Sequence, residues 1–441
     1  MILSFSIQNY RSIRDRITLS MLPVKGYGEL SGNIVTVSEK INALTTAVIY
    51  GANASGKSNV IKALTDFIDF VTSSSQHIIN DPINIYDPFL LDKSSVKNPT
   101  EFELEFVIDK VRYIYSVSCN AERIIDEQLS YYPKGQTVLI FKRENTTDFK
   151  YGTVLKGEKR SIEYRMLQNQ LYLSKAANEN LDMLIDVYSW FSDITNSLSA
   201  MSSLGEYLNM STIIGSALKE KDDKFFKKLE NIIKAFDIGI DSLVIKENTR
   251  GKNLLSMIPE EATEFYSSTF MAEEIPDLDF ELFAIHKGYS KDSEKPVFKE
   301  FPIEKESGGT KNLLTIAFNL LDHFKKGSVM IIDEFERSLH PHIVTKLVQL
   351  FQDHELNVNH AQLIFSTHAI NLLDNELFRR DQVWFTEKDE NGVTDLYALS
   401  QVEGVRKDTP YDKWYLSGRF GATPVLNEPD LNIADEVPEG N

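Results

Sequence analysis

The 441-residue sequence has little cysteine, few basic residues and no long hydrophobic run. Its one cysteine, Cys119, excludes a disulfide framework and is typical of a protein that works in the reducing cytosol. No apolar stretch approaches the ~20 residues that a membrane-spanning helix needs, and the N-terminus lacks the basic start of a signal peptide. We therefore expect a cytoplasmic protein without a membrane partner.

Basic residues are outnumbered, because 47 of them stand against 65 acidic ones and give a net charge of −18. Such a composition disfavours sequence-blind binding to nucleic acid. A local basic groove stays open as an alternative, since net charge does not describe how charge is distributed. Apolar residues do not keep coiled-coil spacing over several heptads, so a long coiled-coil arm is not expected.

The most informative segment present is Gly51–Ser58, a complete phosphate-binding loop. It follows an apolar, strand-like stretch and precedes a helical pattern with one apolar face, which is the context that the motif requires. Glycines let the backbone wrap around phosphate oxygens, and the N–H groups at the helix start point at the anion. Lys57 is expected to reach the β- and γ-phosphates, and the Ser58 hydroxyl to hold Mg²⁺. The candidate nucleotide-binding residues of this loop are Asn53, Gly56, Lys57, Ser58 and Asn59.

A second motif is the apolar run that starts at Val329 and ends in two carboxylates, Asp333 and Glu334. A run of this kind is typical of a central parallel strand covered on both faces. Asp333 can order Mg²⁺, usually through water, and Glu334 can polarise an attacking water as general base. The alternative is a strand followed by an acidic turn; the phosphate loop in the same chain favours catalysis.

A third motif, Ser307-Gly308-Gly309, opens a helical run. Ser307 is suited to cap the helix. Two consecutive glycines at a helix start also form a second anion-binding surface. The phosphate loop and this second helix start cannot easily both reach the same γ-phosphate from one side of a single site.

The rest of the chain divides by pattern. Period-two alternation between about 100 and 145 predicts an antiparallel sheet, with a tight turn at Asp109-Lys110. Residues 176–236 have helical spacing, whereas 245–305 is polar, mixed and interrupted by prolines. The segment after Asn427 is acidic without a basic residue and is expected to be disordered.

The order of the motifs carries a family resemblance. Ser307-Gly308-Gly309 precedes Asp333-Glu334 by one helix, and a further helix, at about 342–353, separates these carboxylates from a strand that ends at His368. This order resembles the ABC-type ATPase heads of the SMC-like, RecF-like and OLD-like proteins, over about residues 1–60 and 300–390. The resemblance implies an α/β fold, an ABC-type P-loop ATPase head with a mixed central sheet, flanking helices and an antiparallel β lobe. It also implies a helical insertion lobe and no long coiled coil.

On this resemblance the chain has four parts. They are the N-terminal part of the ATPase head with the phosphate loop and the antiparallel β lobe (1–170), a mostly helical insertion lobe (171–295), the C-terminal part of the head with the Ser-Gly-Gly signature, the Asp333-Glu334 strand and a switch histidine (296–427), and an acidic disordered tail (428–441).

The resemblance also implies residue roles. Ser307, Gly308 and Gly309 of one subunit contact the γ-phosphate of the nucleotide bound by its partner, so ATP and Mg²⁺ are held in composite sites of a head-to-head dimer or a larger ring. His368 is similar to the switch histidine that senses that phosphate. Arg11 is similar to the basic residue of an N-terminal Asn-Phe-Arg/Lys-Ser element that lies near the nucleotide. No glutamine-centred loop stands out after the first helix, and the segment 88–92 is the candidate for its place.

The whole-chain pattern is most similar to compact ATPases of bacterial abortive-infection and anti-phage systems, among them the ATPase component of PARIS systems. The resemblance includes the segments 9–12, 88–102, 306–310 and 415–424. It implies slow ATP hydrolysis and a sensor and scaffold role. In that role the chain responds to a phage-derived trigger and controls a separately encoded effector, a Toprim-like nuclease. The alternative is a RecF/SMC-like ATPase of DNA repair or DNA-end processing.

Two other chemistries are disfavoured. The segment 401–404 superficially resembles the first acidic element of a Toprim nuclease, but only 37 residues follow it, without an Asp-x-Asp pair, so a polar turn is the better interpretation. Five of the eight histidines lie within 340–368. Cysteines or clustered carboxylates at zinc-ligand spacing do not accompany them. We therefore expect no metal beyond Mg²⁺.

Overall fold

A computed structural model of the chain describes residues 1–195, 215, 218–219, 221–236, 239–247, 280–290 and 293–424. The described strands are β1 (Ile2–Gln8), β2 (Ile17–Ser20), β3 (Ile34–Ser38), β4 (Ile41–Leu44), β5 (Thr46–Gly51), β6 (Thr100–Ile108), β7 (Val111–Cys119), β8 (Ile124–Tyr132), β9 (Val138–Glu144), β10 (Asp148–Tyr151), β11 (Ile240–Glu247), β12 (Phe280–Ser290), β13 (Ser293–Pro302), β14 (Val329–Ile332), β15 (Gln362–Ser366), β16 (Val383–Lys388) and β17 (Thr394–Ala398). The described helices are α1 (Lys57–Ser73), α2 (Lys159–Arg165), α3 (Tyr172–Asn178), α4 (Asp182–Thr195), α5 (Asp223–Ala235), α6 (Gly308–Lys326), α7 (Pro341–Gln352) and α8 (Tyr411–Leu416). None of the described helices is long and apolar enough to cross a membrane.

A five-stranded mixed sheet carries the phosphate loop, with strand order β14-β15-β5-β16-β17. The first four strands run parallel and β17 is antiparallel to β16. Strand β5 is buried at every residue, because both faces of the sheet are covered. The carboxyl ends of β14, β15 and β5 therefore share one edge, which is where α/β sheets bind their ligands.

The predicted antiparallel β lobe is a seven-stranded sheet of order β10-β9-β8-β7-β6-β1-β2. The tight turn between β6 and β7 is at Asp109 and Lys110, which both have left-handed backbone angles, as a two-residue hairpin turn requires. Helix α1 lies between this lobe and the central sheet. Its Phe67 ring stacks on Phe102 of β6 at 5.0 Å between centroids. The helix that begins at the phosphate loop is thus fixed from both sides.

The other face of the central sheet is covered by α6 and α7, with α5 packed on α6. Helix α8 adds Tyr415 to this core, where its ring lies 5.5 Å from Phe385 of β16 and 6.0 Å from Tyr50 of β5. These helices, the mixed sheet and the β lobe confirm the expected α/β architecture, a mixed central sheet with flanking helices and an antiparallel β lobe.

A three-stranded sheet, β11-β12-β13, lies between α5 and α6 in the sequence and was not foreseen. Its inward residues Leu282 and Ala284 are buried. Strand β13 pairs only on one side among the described strands and contains Pro296 and Pro302. Prolines are tolerated on such an edge, because the outer N–H groups have no strand to bond. The acidic tail 428–441 lies outside the described residues.

Candidate functional site

The phosphate loop is closed by its own lysine. Lys57 is 5% exposed, and its Nζ donates to the carbonyl oxygens of Gly51 at 2.9 Å and Ala52 at 3.0 Å. Gly56 has a left-handed backbone (φ 114°) just before α1. A Cβ at Gly56 would collide with Thr394, so only glycine brings the loop this close to β17. The loop therefore leads directly into the first turn of α1, and free N–H groups at a helix start suit an anion.

Hydroxyl groups hold the loop against β16 and β17. The Oγ atoms of Ser55 and Thr386 are 2.6 Å apart. Thr394 Oγ1 donates to the Ser55 carbonyl oxygen at 2.9 Å and lies 2.8 Å from Ser12 Oγ, which also accepts from Asn59 Nδ2 at 2.6 Å. Sequence reasoning missed both threonines, since no motif surrounds them and their role depends on strand order.

The two predicted carboxylates lie at the carboxyl end of β14, beside that of β15. Ser366 Oγ donates to Asp333 Oδ1 and accepts from the Glu334 N–H at 2.9 Å, which fixes the turn to β15. Glu334 has a left-handed backbone (φ 51°), which turns its side chain into solvent. Burial lowers the pKa of Lys57, and the negative charges of Asp333, Glu336 and Glu334 oppose that shift. The structure thus brings the lysine and the carboxylates together.

The residues present fit a nucleotide with Mg²⁺. Ser58 is exposed on the first turn of α1, and Asp333 is exposed just after β14, at the sheet edge where the phosphate loop follows β5. A hydroxyl and a carboxylate are the oxygen ligands that Mg²⁺ prefers. Asn53 is exposed on the loop itself. Within the described ranges, no group of three or more His, Cys, Asp or Glu side chains could hold a metal ion.

Arg11 lies next to the phosphate-loop helix. Its backbone is left-handed (φ 51°), its N–H donates to the Asp87 carbonyl oxygen at 2.5 Å, and its Nε lies 2.9 Å from Asp87 Oδ2. Arg11 and Asn59 both line a cavity of about 460 Å³. Of the segment 88–92, the candidate for the place of the glutamine-centred loop, residues 88–91 line the same cavity. Asp87 was not foreseen as a partner of Arg11.

The signature begins α6. Ser307 Oγ accepts from the Thr310 N–H at 3.1 Å, as a helix cap should. A Cβ at Gly309 would lie 2.5 Å from the carbonyl oxygen of Ser338, in the turn that follows β14. A Cβ at Gly308 would meet no atom of the described residues within 4 Å. Internal packing among the described residues therefore explains Gly309 but leaves Gly308 unexplained.

His368 follows β15 at the same edge of the sheet, and its side chain is exposed. Its backbone N–H donates to Glu336 Oε1 at 2.6 Å. The neighbouring Ala369 carbonyl oxygen accepts from the Tyr50 hydroxyl at 3.2 Å. Sequence reasoning missed Glu336, although a third carboxylate two residues after Glu334 was a visible signal.

Comparison with known proteins identifies a family and several solved structures of low sequence identity. The family model described as "AAA domain, putative AbiEii toxin, Type IV TA system" matches residues 47–374. No curated protein matches the chain. Among solved structures, an SMC head bound to the C-winged helix domain of ScpA is 15% identical, with a TM-score of 0.40 over 90% of this chain and 97% of that one. The SMC head domain from Thermotoga maritima is 14% identical, with a TM-score of 0.38 over 90% and 98%.

Proposed function

This chain belongs to the family described as AAA domain, putative AbiEii toxin, Type IV TA system, and we propose that it hydrolyses ATP slowly at composite sites shared by two copies. The phosphate loop and the AAA domain support ATPase activity. The sharing of each site between two copies is supported by one observation, the contrast between two adjacent glycines of the signature.

Gly309 has no room for a side chain, because a Cβ there would lie 2.5 Å from the Ser338 carbonyl oxygen. Gly308 has room among the described residues, yet it is also glycine. Its bare backbone, at the positive end of α6, suits close approach by an anion that a second copy brings. We assign that anion as the γ-phosphate of the partner's ATP, with the Ser307 hydroxyl beside it.

The chain's own residues have distinct tasks in this proposal. Lys57 leaves its two loop carbonyls and turns to the β- and γ-phosphates. Ser58 and Asp333 hold Mg²⁺, which neutralises phosphate charge when bound. Glu334, exposed on its turn, accepts the proton of the attacking water, and His368 detects the γ-phosphate. Arg11 and Asn59 bind the nucleotide from the cavity that they line at the start of α1.

We further propose that the nucleotide state controls a separately encoded effector, a Toprim-like nuclease, after a phage-derived trigger in the cytoplasm. The toxin–antitoxin description of the family supports a defensive role. ATP closes the dimer because both subunits contact the γ-phosphate only in the closed state, and hydrolysis reopens it. The difference between the two states is what an effector can recognise.

The experiment that tests this function uses Glu334→Gln with Mg²⁺ and ATP. We expect the variant to bind ATP, to lose most hydrolysis and to accumulate as a dimer in light scattering coupled to gel filtration. Wild-type protein with ADP is the control and should stay open. Normal hydrolysis by the variant would show that Glu334 is not the base. A monomer under all conditions would refute the composite site.

Effector control is tested separately. The product of a neighbouring Toprim-like gene should co-purify with the Glu334→Gln variant in a manner that depends on ATP. Duplex DNA is added to the hydrolysis assay in parallel. Strong stimulation by DNA without nucleotide-dependent effector binding would favour the repair ATPase instead.

A further inference from the structure

The switch histidine is held in place by a carboxylate that belongs to the turn after β14. Glu336 is the third acid of the run Asp333-Glu334-Phe335-Glu336. The left-handed backbone at Glu334 reverses the chain, and Phe335 is buried against Phe365 of β15 at 5.0 Å between ring centroids. This reversal points Glu334 outward and returns Glu336 to the end of β15.

The two oxygens of Glu336 have different surroundings. Oε1 accepts the His368 backbone N–H at 2.6 Å, a short hydrogen bond of the kind that charged acceptors form. Oε2 is shielded from solvent and has no hydrogen-bond partner among the described residues. A shielded carboxylate oxygen without a partner costs folding free energy, so Oε2 does not itself stabilise the turn.

Among the described residues, the preceding Ser366 already contacts the turn after β14 through Asp333, Glu334 and Phe335, whereas residues 367–369 are bonded mainly to β5. The Thr367 N–H donates to the Ile49 carbonyl oxygen at 3.1 Å, and the Tyr50 hydroxyl donates to the Ala369 carbonyl oxygen at 3.2 Å. Both of these bonds connect the segment to the strand of the phosphate loop. Among the hydrogen bonds described for residues 367–369, the one from His368 to Glu336 alone connects it to the turn that carries the proposed base.

We propose that Glu336 is a positioning residue that orients His368 through its backbone and so ties detection of the γ-phosphate to the turn of Asp333 and Glu334. The inference rests on the proposed function, since His368 acts as a sensor only if ATP binds. The carbonyl-type acceptor at Oε1 is what the role requires. A neutral amide oxygen in the same place would meet that requirement.

The test compares two substitutions in the Glu334→Gln background, so that ATP is not consumed. Glu336→Gln keeps an oxygen that can accept from His368, whereas Glu336→Met keeps the length and removes it. Affinities for ATP and ADP with Mg²⁺ are measured by titration calorimetry. We expect Glu336→Gln to keep the preference for ATP over ADP. Glu336→Met should reduce that preference by about tenfold, the usual scale for loss of a hydrogen bond to a charged group, with ADP affinity unchanged.

A double-mutant cycle with His368→Ala shows whether the two residues act as one unit. Glu336→Met and His368→Ala should each reduce the preference for ATP over ADP. The protein with both substitutions should be no worse than His368→Ala alone. Additive losses would overturn the proposal. So would an equal loss in Glu336→Gln and Glu336→Met, because charge would then be the property that matters.

Amide hydrogen exchange in the background protein with Mg²⁺ and ATP gives an answer that does not depend on the folding of Glu336→Met. The His368 amide should exchange slowly there and in Glu336→Gln. Fast exchange in the background protein would overturn the proposal. If the background protein does not bind ATP at all, the proposed function itself fails. If it binds and prefers ATP, and Glu336→Met keeps that preference, only the role of Glu336 fails.

Discussion

The two signature glycines allow a matched pair of substitutions, Gly308→Ala and Gly309→Ala. Because a Cβ at Gly308 meets nothing within 4 Å in the part of the chain that the structure describes, Gly308→Ala should leave the free energy of unfolding unchanged or raise it, by up to about 1 kcal/mol from helix propensity. A Cβ at Gly309 lies 2.5 Å from the Ser338 carbonyl oxygen. Overpacking of this kind costs about 1–3 kcal/mol, so Gly309→Ala should lower the melting temperature.

Function should respond in a different pattern from stability. In the Glu334→Gln background, Gly308→Ala should weaken ATP-induced dimerisation at least tenfold, about 1.4 kcal/mol, because the new methyl group occupies the space left for the partner's phosphate. ATP binding to the monomer should be unchanged. Thermal unfolding and light scattering measure the two quantities on the same samples. A Gly308→Ala protein that dimerises and hydrolyses ATP like wild type would refute the assignment of this backbone to the partner's nucleotide.

Two further predictions concern buried ionisable side chains. Lys57→Ala should abolish nucleotide binding in calorimetry and any stabilisation by ATP in thermal unfolding; a remaining ATP-dependent shift would contradict the role of Lys57. Burial lowers the pKa of His323, whose Nδ1 is 2.6 Å from Ser328 Oγ, to about 4, below its ordinary value of 6.5. The neutral ring is therefore favoured in the fold, and its contribution is complete above pH 6.5 and is lost as the pH falls toward 4, by up to about 3 kcal/mol. His323→Asn should flatten this part of the pH profile of the unfolding free energy, and an unchanged slope would contradict the assignment.

Much of the head could be predicted because its motifs combine local signals. The glycines and lysine of the phosphate loop, the apolar run of β14 and the hairpin at Asp109-Lys110 are each determined by neighbours in sequence. The family and the mixed sheet confirm that part. The assignments of individual site residues stay predictions, and the experiments above address them.

The remaining features arise from long-range pairing. Thr386 and Thr394 contact the loop only because β16 lies beside β5 and β17 beside β16. The contact of Glu336 with His368 joins residues 32 apart and depends on the reversal at Glu334. The sheet β11-β12-β13 was missed because charged residues and prolines weaken its alternation, which is common for exposed edge strands.

The position of Tyr415 has a thermodynamic consequence. Its ring touches that of Tyr50, which directly precedes the phosphate loop and donates to the residue after His368. A ligand that binds α8 more tightly in the ATP-bound form than in the ATP-free form, or less tightly, must change the affinity for ATP by the same factor. Linkage of this type needs no large movement. Binding at α8 can therefore regulate the nucleotide site through the contact between Tyr415 and Tyr50.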